Sequence, residues 1–138
     1  MWATWLPCLF LSVGAVPVDD ATELQGTWQV KSATLAGEPV AAEIVRQLRL
    51  EIRGRSYSVT TTAGPDEGKL ELDAKASPKR MKFIGVRGLN KDRTLLAVYE
   101  LNGDELKISY LMRGETYPTD FTSTAENKHF VVVYERKK

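Results

Sequence analysis

Cysteine is almost missing from this chain: Cys8 is the only one among 138 residues. A lone thiol builds no disulfide framework and no Cys/His metal cluster. Histidine is as scarce, with His129 alone. A transition metal is therefore short of ligands, and a nucleophile is short of its usual base. His129 reads more simply as a surface residue at the start of a strand. An excess of one charge is missing too. Nineteen Lys and Arg stand against eighteen Asp and Glu, for a net charge of +1. That balance speaks against nucleic acid or an anionic membrane as a partner, both of which select a basic face. No internal repeat and no low-complexity tract is visible.

The charges that exist are placed unevenly. Residues 1–18 carry none, and within them Leu6 to Val13 are mostly apolar. That run falls short of the roughly 20 residues that span a bilayer. Val13 and Ala15 fit the third and first places before a cut, the spacing of a secretory cleavage site. Pro7 interrupts the run and no basic residue precedes it. Residues 1–18 thus read as a signal peptide or leader, and 19–138 as one domain. The expected location is outside the cytoplasm: secreted, periplasmic or in the cell envelope, with no stable membrane insertion once the leader is gone. Cys8 leaves with the leader, so the mature domain has no thiol chemistry. A domain of about 120 residues buries enough apolar surface to fold without staples.

Beyond an acidic linker at 16–23, period-two alternation dominates. Trp28 and Val30 share one face of a first strand over 26–35, with Gln29 and Lys31 on the other. The turn signal Ala36, Gly37, Glu38, Pro39 ends it. Ala41, Ile44, Val45 and Leu48 then recur at helical spacing, which predicts a short amphipathic helix over 41–47. Leu48, Leu50 and Ile52 alternate with Arg49, Glu51 and Arg53 in a half-buried strand. Further strands are expected around Tyr57 to Thr61, Leu70 to Leu72, Met81 to Phe83, Thr94 to Leu101, Leu106 to Met112 and His129 to Arg136. Residues 63–68, 85–93 and 113–123 read as loops. Asn102 and Gly103 mark a tight hairpin, both tolerating positive φ. Eight short-linked strands are antiparallel neighbours. They close into an all-β, eight-stranded up-and-down barrel with one short helix after the first strand, or they stack as a two-sheet sandwich.

Gly26-Thr27-Trp28 resembles the Gly-x-Trp start of the lipocalins. There the Trp plugs the barrel bottom and a basic residue of the last strand lies across it. The resemblance implies that role for Gly26, Trp28 and Arg136, with a cation–π contact worth about 1 kcal/mol. A wider succession covers nearly the whole mature chain. It runs through Leu24-Gln25-Gly26-Thr27-Trp28, Leu48-Arg49-Leu50, Tyr57-Ser58-Val59, Tyr99-Glu100-Leu101-Asn102-Gly103-Asp104, Pro118-Thr119-Asp120-Phe121 and Arg136. It is similar to an uncharacterised family of exported domains known from planctomycete bacteria. That resemblance implies a lipocalin-like barrel of a bacterial exported protein and brings no catalytic residue.

Tyr57, Tyr99, Tyr110 and Tyr134 all fall on inward faces, where a phenol needs a hydrogen-bond partner. Either they wall a cavity for a small apolar or amphipathic ligand, or they pair with one another in a filled core. The candidate wall is Tyr57, Val59, Leu72, Phe83, Tyr99, Ile108 and Tyr110, and the ligand reading requires a cavity of drug-like size. The second reading is a filled scaffold whose loops 63–68, 85–93 and 113–123 grip another envelope protein. Leu96, Val98, Val131 and Val133 are apolar on outward faces and need a cover, either the helix or a partner subunit. Asp66-Glu67 and Asp104-Glu105 read as turn residues without the spaced oxygens of a calcium loop. The arginines and lysines at 46–55 and 87–93 are interrupted by acids and read as solvated faces. Asp120 has no nucleophile, second carboxylate or histidine beside it. No catalytic residue, metal site or cofactor is expected, and the chain is read as no enzyme.

Overall fold

The computed structural model describes residues 19–138. Residues 1–18, where a leader is expected, and Cys8 among them lie outside the described residues. Eight long antiparallel strands make one sheet that closes on itself: β1 (Gly26–Leu35), β3 (Arg49–Arg53), β4 (Ser56–Thr61), β5 (Gly64–Asp73), β6 (Lys79–Arg87), β7 (Thr94–Asn102), β8 (Glu105–Leu111) and β9 (Phe130–Arg136). A ninth, β2 (Glu38–Pro39), pairs with the far end of β1. Each long strand follows its neighbour in sequence, and β9 pairs back to β1 from Trp28↔Arg136 to Leu35↔Phe130. The fold is the up-and-down barrel, not the sandwich, because this pairing removes both edges.

Alternation decides what the barrel holds. Leu50 and Ile52 of β3, Leu70 of β5, Met81 and Phe83 of β6, Leu95, Ala97 and Tyr99 of β7, and Ile108 and Tyr110 of β8 all enter one interior cluster. Their sequence neighbours Glu51, Lys69, Lys82 and Lys107 stay at the surface. The turns follow the glycines. Ala36 and Gly37, both at positive φ, join β1 to β2. Asn102 is the last residue of β7, paired with Glu105, so the hairpin loop is Gly103-Asp104 rather than Asn102-Gly103. Only Gly103 has positive φ, at the position a type II′ turn reserves for glycine.

Four local expectations are corrected. The linker at 16–23 ends in a helical turn, α1 (Asp20–Glu23), capped by the Asp19 carboxylate, which accepts from Ala21 N at 3.3 Å. The helix expected over 41–47 is shorter, α2 (Ala42–Val45), because Ala41 offers no side-chain cap. The loop expected over 63–68 is mostly strand: β5 begins at Gly64, opposite Thr61. The loop expected over 85–93 starts later, since β6 runs to Arg87.

The cover of Leu96 and Val98 is also not the helix. Leu96 and Val98 are buried yet stand outside the interior cluster. The connection between β8 and β9 crosses them. Its Tyr117 ring lies 4.4 Å from the Arg80 guanidinium, and its Phe121 ring lies 5.8 Å from Lys107 Nζ. Arg80 is the cross-strand partner of Val98, and Lys107 stands two residues from Val98's partner on β8, Ser109. α2 instead packs on β1, where β1 leaves β3 after Gln29↔Arg49, and sends Val45 into the interior.

Candidate ligand site

The two ends of the barrel are built differently. At the base, Trp28 is fully buried and its indole Nε1 donates to Leu24 O at 2.9 Å. Arg136 lies across the ring, Cζ to centroid 4.3 Å. Its Nη1 donates to Gln25 O at 2.9 Å, Nη2 to Glu23 O at 2.6 Å, and Nε to Asp104 Oδ1 at 3.1 Å. Gly26 takes φ +119, a backbone conformation that L side chains rarely adopt, beside Arg136 Nη1. Asp20 of α1 reaches under the barrel, where its Oδ2 accepts from Tyr99 Oη at 2.7 Å and Lys79 Nζ at 2.8 Å. Burial and the Asp20 bond raise the Tyr99 pKa far above the usual phenol range. Every polar group named here has its partner inside this end of the chain.

At the other end the interior opens. A cavity of about 190 Å³ is lined largely by apolar residues, including Val30, Val59, Leu95, Phe130 and Val132. Its aromatic wall is continuous. The Tyr57 and Phe83 rings meet edge to face at 5.0 Å, Phe83 and Tyr110 lie at 5.1 Å, and Tyr110 and Phe130 at 5.8 Å. The Tyr110 and Tyr134 hydroxyls bond each other at 2.7 Å. Burial foremost, and then the neighbouring phenol, raises the Tyr110 pKa well above its usual value. Burial also raises that of Tyr134. The Tyr57 phenol is pushed up to about 12, first by burial and then by the charge of Asp66.

A glycine pair shapes this mouth. Gly68 of β5 faces Gly85 of β6 beside a register shift. A Cβ at Gly68 would fall 2.0 Å from Ile84 O and 2.9 Å from the Tyr57 ring, and one at Gly85 would fall 1.7 Å from Asn90 O. The missing side chains let the β5–β6 ribbon bend and the tip after β6 fold back on it. Gly85 N donates to Arg93 O at 2.8 Å, and Asp92 N to Gly85 O at 2.9 Å. Asp66 fastens the tip: Oδ1 accepts from Asn90 N at 3.1 Å and Oδ2 from Asn90 Nδ2 at 2.6 Å. Leu89 stands on the tip, 72 % exposed, at the cavity rim.

Of the expected wall, Tyr57, Val59, Phe83 and Tyr110 line this cavity. Leu72, Tyr99 and Ile108 do not. Leu72 lines a groove under the base with Asp19, Asp20 and Leu24, Tyr99 is tied to Asp20, and Ile108 is sealed in the core. Strand alternation tells inside from outside but not height along the axis, so residues at the base and the mouth look alike in sequence. Sequence reasoning missed Asp66, Asn90, Leu95 and Phe130. Asp66 was read as a turn residue, yet it shares the inward face with Gly68 and Leu70. Asp120 Oδ1 accepts from Thr122 N at 3.0 Å, within its own turn. Among the described residues no group of three or more His, Cys, Asp or Glu is placed to hold a metal ion.

The cavity is below the roughly 300–1,000 Å³ of sites for drug-sized ligands. The drug-sized occupant that the ligand reading required is therefore not accommodated. An engineered cavity of about 150 Å³ takes up benzene, so this one suits a single ring or a short chain.

No protein-family model and no curated protein matches the chain. Among solved structures, the fold is similar to that of a DUF4847 family protein from Bacteroides vulgatus. The TM-score is 0.51 at 10 % identity, over 83 % of this chain and 94 % of that one. At that identity the likeness speaks for the barrel alone.

Proposed function

We propose that this chain is an exported, non-enzymatic binding protein that takes one small, largely apolar molecule into the mouth of its barrel. The observation that carries this reading is the asymmetry of the ends: a sealed base and an apolar cavity that opens at the rim with a few convergent polar groups. That combination is how small-molecule sites are generally built. The proposed kinship with lipocalins and with exported planctomycete domains supports the same reading through Gly26, Trp28 and Arg136. Export rests on the charge-free residues 1–18.

Native mass spectrometry of the full chain, purified from its own host compartment, tests this. A reproducible small adduct is expected, lost on denaturation and lost in Val59→Trp, which fills the cavity. A bare mass for the folded protein from every preparation would favour the second reading, an interaction module of the envelope. The observation on that side is the tip after β6, where Val86 and Leu89 are both exposed. The other two loops suit gripping less. One is strand β5, and the other lies on the barrel's own wall.

A further inference from the structure

Among the described residues Asp66 is the one buried carboxylate, only 7 % exposed. Five ion pairs form among the described residues, and none includes it. Its neighbour Glu67, on the outer face, has Arg87 at 3.7 Å. A buried carboxylate without a counter-charge is costly. What Asp66 receives is two amide donors from Asn90. Arg93 adds to this only through that amide, its Nη1 donating to Asn90 Oδ1 at 3.3 Å while Nη2 donates to Met112 O. A carboxylate has about four acceptor sites, so Asp66 keeps capacity, and has no cationic side chain in ion-pair reach, on the cavity that it lines.

The remaining wall narrows what the missing partner is. Four aromatic side chains, Tyr57, Phe83, Tyr110 and Phe130, line the space, and an aromatic ring attracts a cation that sits over its face. Calcium or magnesium needs six or more oxygens and zinc several His, Cys or carboxylate ligands, and apart from Asp66 no such side chain lines the cavity. An anionic ligand meets Asp66 as a like charge, and the rim arginine, Arg49, is exposed, so water already meets its charge while its Nε donates to Gln29 Oε1 at 3.1 Å. A neutral alcohol leaves the charge unbalanced. We propose that the ligand of the mouth cavity is a small organic amine in its ammonium form, its charge on Asp66 and its apolar part against the aromatic wall. A volume of about 190 Å³, a little above the roughly 150 Å³ that takes up benzene, admits one ring with a short substituent reaching the rim. This inference rests on the reading of the cavity as a ligand site and names its ligand class.

The test is a matched set of probes against the full chain by ligand-observed NMR titration: phenethylammonium, phenethyl alcohol and phenylpropionate. The ammonium is expected to bind at least about tenfold tighter than the alcohol, with the carboxylate weakest. In Asp66→Asn that preference is expected to vanish while the alcohol still binds. In Asn90→Ala, which unfastens the tip but keeps the charge, the preference is expected to persist. Equal binding of ammonium and alcohol by the natural chain, a measurement that needs no variant, overturns the inference and leaves the carrier reading standing. A preference that survives in folded Asp66→Asn overturns it too. Binding of none of the three by the natural chain overturns both.

Discussion

The base and the mouth of this barrel are made from the same strands, yet they treat polar groups in opposite ways. At the base, Trp28, Arg136, Asp20, Lys79 and Tyr99 answer one another, and nothing is left over. At the mouth, Asp66 has hydrogen bonds but no counter-charge, and Leu89 faces water. A group satisfied within the chain adds to folding, while a group left partly unanswered is open to a ligand. Stability is therefore expected to sit with the base and binding with the mouth.

The strongest attack on that division is Trp28→Ala. It removes the plug and opens a void, for an expected loss of about 3–5 kcal/mol in urea unfolding. Arg136→Ala should follow at about 2 kcal/mol, since it removes a cation–π contact and a guanidinium fork onto two carbonyls. Arg136→Lys should recover only part, because an ammonium lacks the fork. A smaller effect probes the depth of the mouth. Tyr110→Phe leaves the Tyr134 hydroxyl buried and alone, for about 1–2 kcal/mol, and Tyr134→Phe does the converse. The double variant should lose less than the two single losses added, and a double-mutant cycle measures the difference. If either single phenylalanine costs more than Trp28→Ala, the division fails.

The smallest effect is electrostatic. Burial tends to raise the Asp20 pKa, but the Lys79 and Tyr99 bonds and the Lys79 charge outweigh it, and the net shift is downward. A depressed folded pKa gives stability that is present above 3.8 and is lost as pH falls through the folded value. Asp20→Asn should flatten that acid dependence, by under about 1 kcal/mol in this half-open setting. Thermal melts from neutral to acid pH compare the two chains.

The wall of the barrel was legible because its code is local. Leu48, Leu50 and Ile52 declare a face by themselves, and Gly26, Trp28 and Arg136 sit where a closing sheet must bring its first and last strands together. What was not legible depends on position along the axis and on pieces far apart in sequence. Tyr57 and Tyr99 have the same inward pattern, and only the folded chain places one at the mouth and the other on Asp20. Asp66 follows Gly64-Pro65, a turn signal that outweighs the period-two set of Asp66, Gly68, Leu70 and Leu72. The helix was one of the two covers expected for Val98 because it is the spare element that the sequence shows. The actual cover is an irregular segment with no period to read, marked only by Tyr117, Pro118 and Phe121.

The latch at the base also bears on the order in which the molecule is assembled. Arg136 meets carbonyls 111 and 113 residues earlier in the chain. Such contacts form late, because the loop they close is long. A ribosome delivering this chain releases β1 early and β9 last. Until then β1 and β8 are bare edges that another strand can join. Nascent or truncated chains ending before Phe130 should therefore aggregate, whereas the closed barrel leaves, among the described residues, only the two-residue β2 at an edge.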